Sequence, residues 1–404
     1  QRLIHELSNA VANGEIKGAL LCGAEAMATV RHWQRSGRSA DWSDAPSGVT
    51  EDRGMGTDFL YERELNRHGA YAPIDVYPLL ENARRGELGL NKEEYRDQIA
   101  SLLCHFAKVA DKNPFSMFQK YKTHQDIATE TVKNRMISDP HLKAMVAKDR
   151  VNQAAAIAIS SFGLAKSLGV TDRAIFLRGY SDSVELPVLE RPSLARAPEM
   201  REAYQAAMAS AGLKVEDLMA FDLYSCFPIA VFCALDSLGL RSDDLRPLTL
   251  TGGLPFFGGP GNNYSTHGIA EMIRLLRAQT SPAHGLIGAN GGHLSKHSVG
   301  IYSNEPGPFP AAHSNLNPVK KRVKVEVTCR PSGTSRVESY TIRPKGASHQ
   351  IIVVSRQERD YRRWVGVADS NNSAIQRFFQ DGEPLGARVD AIVGDQNVVR
   401  MHGL

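Results

Sequence analysis

The sequence predicts an α/β protein made of two related halves, followed by a separate, small β domain. Apolar residues on one stripe of residues 2–13 indicate a helix, and a buried strand over 16–22 ends in the small-residue turn 23–27. The same order of helix, strand and glycine turn returns over 267–292, which indicates an internal duplication, although two weak copies can also arise by chance. After Pro318 the pattern changes to short alternating strands.

Composition describes an ordinary globular protein. The chain has 404 residues, 42% of them apolar and 23% charged, with a formal charge of +4, and this length predicts two or three domains. It contains neither a run of eighteen apolar residues nor a charged-then-apolar leader, so we expect a cytoplasmic protein with no membrane partner. Because Gln1 falls directly into a helical pattern, we expect the natural N-terminus to lie upstream.

The five cysteines are scattered, with no CxxC pair and no histidine at zinc spacing. This set predicts reduced thiols and no metal site. The small positive charge is too dispersed to indicate a nucleic acid partner by itself.

Residues 31–149 are polar and irregular, apart from helical patches such as 92–109. We interpret them as a long insertion that caps a site or forms an oligomer interface, because structureless loops of this length are rare in compact domains. A loosely packed peripheral decoration is the alternative.

The chain after the insertion alternates between predicted helices and strands. Residues 151–168 are apolar nearly all round, which predicts a buried helix. A strand over 173–180, a helix over 199–211 and a strand over 219–223 follow. This alternation predicts a mostly parallel sheet.

The stretch Thr251–His267 crowds glycines and prolines between a strand-like run and a helix. We expect Ser265 or Thr266 to cap that helix, whose buried face continues through Ile269 and Met272. Unpaired N–H groups and the helix dipole attract negative charge at such an end. A tight corner between core elements is the alternative interpretation.

A second glycine-rich turn follows a short apolar run at residues 285–293, and Lys296 and His297 carry polar groups onward. Two such loops in succession predict a lined pocket.

Cys226 follows the strand predicted at 219–223, and Pro228 stands where the next helix begins. At that helix N-terminus the dipole would stabilise a thiolate and lower the pKa of Cys226. A buried, inert cysteine is the alternative.

These motifs together resemble the succession found in thiolases, in order and with helices between them. The match covers about residues 1–310 and is closest to thiolase-like proteins of the acetyl-CoA acetyltransferase type that carry an additional C-terminal domain. It rests on four segments taken together: Gly23–Met27, Asp222–Phe227, Gly252–Pro260 and Asn290–Gly292.

The resemblance implies roles for individual residues. Cys226 matches a reactive cysteine of the sterol-carrier type of thiolase, and Tyr224 stands where that family has an oxyanion-hole histidine. Gly259 replaces the histidine that binds the thioester oxygen, and Asn290 replaces a late proton-shuttling cysteine. The family's primary nucleophile would fall just before Gln1.

The implied function is an acyl-CoA acyltransferase acting on acyl-CoA or 3-ketoacyl-CoA thioesters, with coenzyme A as part of the substrate and no covalently bound cofactor. Claisen condensation needs a base and oxyanion donors, for which we name Cys226 and the N–H groups of Gly259, Gly291 and Gly292. The alternative is a catalytically impaired acyl-CoA-binding or scaffold protein, favoured by the replacements at Tyr224, Gly259 and Asn290.

Three histidines beside the glycine loops are candidates to replace the lost one: His267, His293 and His297. A capping or solvent role is the alternative for His267, and a solvated turn is the alternative for His297. Asn263 and Asn290 can each donate to a carbonyl group, although turn chemistry also favours asparagine there.

We predict an incomplete N-terminal thiolase half at 1–197, a C-terminal half at 198–317 and an added β domain, similar to an OB-fold, at 318–404. Basic residues at 320–324 and 356–363 could contact nucleic acid, but only Tyr361 and Trp364 are interleaved with the second cluster, so we do not expect that partner. Homodimer and monomer both stay open.

Overall fold

The computed structural model describes residues 1–39, 41–42, 62–310, 314–315, 322–346, 348–394 and 399–403. The helices in these ranges are α1 (Arg2–Ala12), α2 (Met27–Arg35), α3 (Arg63–Arg67), α4 (Pro73–Glu87), α5 (Lys92–Lys112), α6 (His124–Ala128), α7 (Phe162–Ser167), α8 (Pro198–Ala211), α9 (Pro228–Leu238), α10 (Tyr264–Arg277) and α11 (Ser373–Asp381). The strands are β1 (Gly18–Ala26), β2 (Met136–Ser138), β3 (His141–Leu142), β4 (Asn152–Ser160), β5 (Phe176–Val184), β6 (Leu218–Leu223), β7 (His284–Gly291), β8 (Lys296–Ser303), β9 (Ser314–Asn315), β10 (Ser335–Lys345), β11 (Ser348–Gln357), β12 (Arg363–Ala368), β13 (Arg388–Val393) and β14 (Val399–Gly403). Every helix in the described ranges is too short or too polar to cross a membrane.

Helices α1 and α10 lie between two β-sheets. One sheet is the antiparallel ribbon of β1 and β4, and the other has the strand order β6-β7-β8-β5-β9. Ile4 of α1 and Ile269 and Met272 of α10 share one buried cluster with Ile157 of β4 and Ile287 of β7. The two helices therefore join the sheets, and loops from both halves meet where the helices begin.

The two halves repeat one arrangement, which confirms the predicted duplication. In each half a central helix leads into a strand that pairs with an antiparallel neighbour: α1, β1 and β4 in the first half, α10, β7 and β8 in the second. The five-stranded sheet is mixed, since β6 and β7 are parallel but β8 is antiparallel to both β7 and β5. The prediction of a mostly parallel sheet was wrong because the chain returns from β7 to β8 through the short turn 292–295 and not through a crossover helix.

Residues 151–168, predicted as one buried helix, form strand β4 and the short helix α7. Ala154, Ala156 and Ala158 lie on the exposed face of β4. The prediction was wrong because a run of alanine and isoleucine fits either period, and nine residue pairs with β1, which lies far away in the sequence, decide the outcome.

The described part of the insertion, from residue 62 onward, packs closely against the second half. Helix α5 begins with a capping box, in which Asn91 Oδ1 accepts the N–H groups of Glu93 and Glu94 and the Glu94 carboxylate accepts the N–H of Asn91. The helical patch predicted at 92–109 is therefore confirmed. Leu79 of α4 and Phe106 of α5 belong to the same hydrophobic core as α8 and α9, so the insertion is not a peripheral decoration.

Strands β10, β11, β12, β14 and β13 close into a barrel, and α11 lies between β12 and β13 in the chain. Only β12 and β14 run parallel among the described neighbours in this barrel. This five-stranded barrel confirms the predicted OB-like domain, while the boundaries proposed at 197 and 317 stay predictions. The alternating pattern predicted after Pro318 does not form a strand over 322–329, where the chain contributes one isolated bridge, from Val327 to Arg363, and Val325 donates its N–H to the Glu190 carbonyl outside the barrel.

The barrel is attached to helix α4. Asn82 Nδ2 donates to the Tyr340 carbonyl (2.9 Å), and an ion pair of 2.7 Å joins Arg343 of β10 to Asp75, which caps the first turn of α4. The barrel therefore fixes one side of a helix whose other side faces the second half.

The basic cluster of the barrel pairs with carboxylates of the barrel itself. Glu338 receives both Arg363 (2.6 Å) and Arg356 (2.7 Å), and Asp360 receives Arg362 (2.7 Å). Two lysines of the other basic stretch, at positions 320 and 321, lie outside the described residues.

Candidate active site

Cys226 lies in the connection between strand β6 and helix α9. Pro228 occupies the first position of the helix, where its missing N–H costs no hydrogen bond. The Cys226 side chain is partly exposed, and its carbonyl accepts the N–H of Ala147 from the end of the insertion (3.2 Å). The thiol therefore lies where the insertion meets the second half.

Cys226 and Asn290 meet at the ends of two neighbouring strands. Because β6 and β7 are parallel, their carboxyl ends lie at one edge of the sheet. Asn290 Nδ2 is 3.8 Å from Cys226 Sγ. Tyr224 is also partly exposed, and its ring meets that of Tyr264 edge-on with centroids 5.4 Å apart. The structure thus brings together residues from two of the four motif segments, Asp222–Phe227 and Asn290–Gly292, and from the stretch Thr251–His267.

Tyr77 of α4 completes this cluster, and it was not among the predicted site residues. Its Oη accepts hydrogen bonds from Asn290 Nδ2 (2.8 Å) and from the Leu294 N–H (2.9 Å), and it donates to the Gly292 carbonyl (3.1 Å). Its ring stacks on Phe227 with centroids 4.3 Å apart. No local pattern could mark Tyr77, because these partners follow it by more than 200 residues.

Asp222 anchors the first glycine loop. Its Oδ2 accepts the N–H groups of Leu250 (2.8 Å) and Thr251 (3.0 Å) and the hydroxyl groups of Thr249 and Thr251 (both 3.1 Å). Burial raises the pKa of Asp222, and the two backbone donors oppose that shift. Asp222 belongs to the predicted motif Asp222–Phe227, but no role was predicted for it. An aspartate inside an otherwise apolar strand was the feature that could have indicated one.

Gly258 and Gly259 bring this loop against the last residues of the insertion. Gly258 has φ of 120°, and a Cβ there would lie 2.6 Å from Val151 Cγ1. The Gly259 N–H donates to the Lys148 carbonyl (2.6 Å). A backbone carbonyl therefore occupies this N–H, and its predicted donation to a thioester oxygen stays a prediction.

Helix α10 begins earlier than predicted. Asn263 is its N-cap residue, so Ser265 and Thr266 lie inside the helix, because the preceding turn 261–263 already has helical geometry. Asn263 Nδ2 donates to the carbonyl of Gly23 (2.6 Å), and a Cβ on Gly23 would lie 2.7 Å from Asn263 Oδ1. Asn263 thus joins the two halves, and its predicted part in thioester binding stays a prediction.

His267 is buried one turn into α10. Its Nε2 lies 3.4 Å from Asn263 Nδ2, and its ring meets that of Phe257 edge-on at 5.2 Å. Burial lowers the pKa of His267 to about 4, so the ring is neutral at pH 7. These contacts belong to the first glycine loop, and the catalytic role of His267 stays a prediction.

His297 pairs with Asn290 across β7 and β8, so both side chains lie on one face of the sheet. Its Nε2 is 3.7 Å from Glu185 Oε1, which accepts the first N–H groups of α8. Burial lowers the pKa of His297. Its described contacts lead toward α8, and its catalytic role also stays a prediction. His293 meets the Tyr77 ring edge-on, and burial lowers its pKa to about 4.

Gly291 and Gly292 form the partly exposed start of the turn after β7. Gly292 has φ of 66°, which favours glycine, and the Gly291 carbonyl accepts the Ser295 N–H (3.0 Å). Their predicted donation to an oxyanion stays a prediction.

Burial raises the pKa of the Cys226 thiol to about 12, although hydrogen bonds from the Phe227 N–H and the Asn290 amide favour the thiolate. The expectation that a helix N-terminus lowers this pKa was therefore wrong. The Ile229 N–H in the first turn of α9 donates instead to Glu81 Oε2 (3.1 Å), so a carboxylate occupies that helix end.

Glu81 is the centre of a buried polar cluster behind Cys226. Tyr95 Oη donates to Glu81 Oε1 (2.7 Å), and His141 Nε2 lies 2.9 Å from Glu81 Oε2. The His141 ring contacts Phe227, with centroids 5.2 Å apart. All of these partners except Phe227 come from the insertion, so sequence reasoning could not find the cluster without recognising helix α4.

The arrangement can hold a carbonyl oxygen and move a proton. Asn290 offers an amide donor beside a thiol that is protonated at pH 7, and a thiolate formed from such a weak acid is a strong base toward carbon. The described residues contain no group of three or more His, Cys, Asp or Glu side chains that could hold a metal ion.

Comparison with known proteins shows which solved structures this chain is similar to. No family model matches the sequence, and no curated protein matches it. Among solved structures the chain is similar to a monomeric SCP2-thiolase-like protein type 1 from Mycobacterium smegmatis, with 36% identity and a TM-score of 0.87 over 100% of this chain and 81% of that one.

Two further solved structures are similar at lower identity. They are the Ltp2-ChsH2(DUF35) aldolase (20% identity, TM-score 0.56, 74% of this chain and 75% of that one) and the dimeric peroxisomal thiolase of Saccharomyces cerevisiae (14% identity, TM-score 0.49, 75% and 73%). The first of these shares the fold. Because the Mycobacterium protein is more than 30% identical along the whole of this chain, the chain belongs to the SCP2-thiolase-like proteins of the thiolase superfamily.

Proposed function

We propose that the protein binds an acyl-CoA or 3-ketoacyl-CoA thioester beside Cys226 and acts as a thiolase-type acyltransferase, similar to acetyl-CoA acetyltransferases. The proposal is carried by the meeting of Cys226, Asn290 and Tyr77 at the carboxyl ends of β6 and β7. Ligands of open α/β sheets bind at the carboxyl ends of the strands. Coenzyme A takes part as substrate and leaves with the product.

Cys226 exchanges a proton with C2 of the bound thioester. Its thiolate removes the proton from C2, the electron pair of the C–H bond moves into an enolate, and Asn290 Nδ2 donates a hydrogen bond to the enolate oxygen. In the reverse direction the thiol returns the proton to C2. With a pKa of about 12, the thiolate fraction at pH 7 is on the order of one in 10⁵.

A second candidate is an acyl-CoA-binding or scaffold protein without turnover. It is favoured by the Gly259 N–H, which is occupied by the Lys148 carbonyl, and by His297, whose Nε2 lies 3.7 Å from Glu185 Oε1 at the start of α8.

Deuterium uptake at C2 of acetyl-CoA in D₂O, followed by mass spectrometry, separates the two candidates. We expect the protein to exchange this position faster than buffer, at a rate that rises about tenfold per pH unit between pH 7 and 9, because the thiolate fraction rises toward the pKa of about 12. Cys226→Ala should lose at least about 100-fold of this rate. Cys22→Ala is the matched control, because Cys22 is exposed on β1.

Calorimetric binding of acetyl-CoA without exchange above buffer would contradict the catalytic proposal and support the second candidate. Absence of acetyl-CoA binding would contradict both. Acyl transfer itself is measured as loss of acetoacetyl-CoA in the presence of free coenzyme A.

We further propose that the protein is a monomer, as its Mycobacterium relative is described, and light scattering in solution measures this.

A further inference from the structure

A cavity of about 680 Å³ lies at the opposite end of the central helix α10 from Cys226. The first residue of α10, Tyr264, contacts Tyr224 beside Cys226, whereas Ile273 and Arg277 at its other end line the cavity. At 1.5 Å per residue these ends are about 20 Å apart. The cavity is therefore separate from the proposed thioester site.

The cavity is mostly apolar. Its walls come from α1, β4, α7, β5 and α10, and include Ile4, Val11, Ile157, Phe162, Phe176 and Ile273. The Phe162 side chain is 54% exposed and that of Phe309, also in the lining, is 45% exposed. Its volume falls in the range that holds small-molecule ligands.

Two arginines line this apolar cavity. Arg277 Nε donates to the carbonyl of Arg173 (2.7 Å), which holds the two residues side by side. Among the described residues neither guanidinium forms an ion pair, and Asp172 is the carboxylate that acts on Arg277 from a longer distance. Partial desolvation, followed by the positive charge of Arg173, lowers the pKa of Arg277, although both arginines remain exposed to water. Within the described part of the chain, the two cations therefore have no paired carboxylate.

The C-terminal position of Arg277 on α10 does not by itself explain this pair. A cation in the last turn of a helix interacts favourably with the helix dipole. Arg274, in the same turn, already supplies such a cation and is paired with Glu271 (2.6 Å), and it is not part of the lining. Arg173 belongs to a different segment, between α7 and β5.

We propose that this cavity binds a free fatty acid. The hydrocarbon chain lies among the apolar side chains, and the carboxylate is held by the guanidinium groups of Arg173 and Arg277. Guanidinium groups recognise carboxylates through paired, charge-assisted hydrogen bonds. An uncharged lipid would leave both cations unmatched, and a polar anion would leave the apolar walls unmatched.

Calorimetry with decanoate, dodecanoate and 1-dodecanol below their aggregation concentrations tests the proposal. Burial of two more methylene groups should make dodecanoate bind about fifteenfold more tightly than decanoate. Arg277→Gln should weaken dodecanoate binding about tenfold and leave 1-dodecanol binding unchanged. Arg274→Gln is the matched control on the same helix and should change neither.

Val11→Trp fills the cavity and should abolish binding of both chains. If circular dichroism shows that this variant does not fold, Arg277→Gln decides alone, because that side chain is exposed. Cys226→Ala should bind dodecanoate as tightly as the unaltered protein does. Arg277→Gln should bind acetyl-CoA as tightly as the unaltered protein does. The proposals for the two sites are therefore tested independently. The proposal would be overturned if dodecanoate did not bind or if decanoate and dodecanoate bound equally tightly. It would also be overturned if Arg277→Gln bound dodecanoate as tightly as the unaltered protein does.

Discussion

The candidate site is built from two parts of the molecule that are held in different ways. The second half contributes the segments after β6 and β7 together with the first glycine loop, and that glycine loop is held by backbone N–H groups that converge on Asp222. The insertion contributes α4, whose Tyr77 and Glu81 are held by side-chain contacts with distant segments. The barrel holds the outer side of α4, through contacts such as Arg85 with Glu383.

The difference shows which part of a site a sequence can display. Glycines that must adopt positive φ leave a visible pattern, so both loops could be found. A buried glutamate or tyrosine on a helix depends on partners elsewhere in the chain. If this distinction is sound, substitutions on the loop side and on the α4 side should loosen different segments.

The largest effect is expected from Asp222→Ala on the loop side. It leaves the N–H groups of Leu250 and Thr251 and two threonine hydroxyls without their acceptor inside the core. We expect a loss of about 3–5 kcal/mol in the free energy of unfolding, measured by urea titration, and about 1–2 kcal/mol for Asp222→Asn, which keeps an acceptor oxygen.

Asp243→Ala is the control for this prediction, because Asp243 forms an exposed pair with Arg241 and should contribute less than about 1 kcal/mol. Hydrogen exchange should accelerate at residues 249–253 in Asp222→Ala and remain slow at 290–294. Equal urea midpoints for Asp222→Ala and Asp243→Ala would contradict the anchoring role.

An intermediate effect is expected from Glu81→Gln on the α4 side. In glutamate, one carboxylate oxygen accepts a hydrogen bond from Tyr95 and the other accepts from His141 and Ile229. Glutamine replaces one of these oxygens by an NH₂ group, which accepts no hydrogen bond, so at least one buried donor loses its partner. We expect a loss of about 2 kcal/mol in the free energy of unfolding. Glu87→Gln is the control on the same helix, because Glu87 forms an exposed pair with Arg196. Faster exchange at 249–253 than at the start of α9 would contradict the distinction between the two sides.

Local patterns predicted much of the fold. The buried stripe of α10 and the proline that opens α9 each depend on neighbouring residues, and each was placed within a few residues. Strand β4 was mistaken for a helix because its partner β1 lies beyond the whole insertion. The mixed sheet was missed because strand direction depends on the length of a connection and not on the composition of the strand.

The site was predicted only in part, for the same reason. Cys226 and Asn290 were placed together because each stands at the end of a strand in a recognisable order. The raised pKa of Cys226 could not be predicted, since it depends on how far the folded chain removes the thiol from water. The occupied Gly259 N–H depends on Lys148, which is 111 positions earlier in the sequence.

The smallest effect, and the sharpest test of the comparison, is expected from Tyr77→Phe, where the two sides meet. The change keeps the stacking on Phe227 but removes the group that joins Asn290, Gly292 and Leu294. We expect a loss of about 1–2 kcal/mol in the free energy of unfolding and faster hydrogen exchange at 290–294. Exchange at 249–253 should not change, because Asp222 holds that loop independently. Tyr71→Phe, with an exposed side chain, is the control. Equal acceleration in both loops would show that they form one unit, and the contrast between a loop side and a helix side would then have no energetic basis.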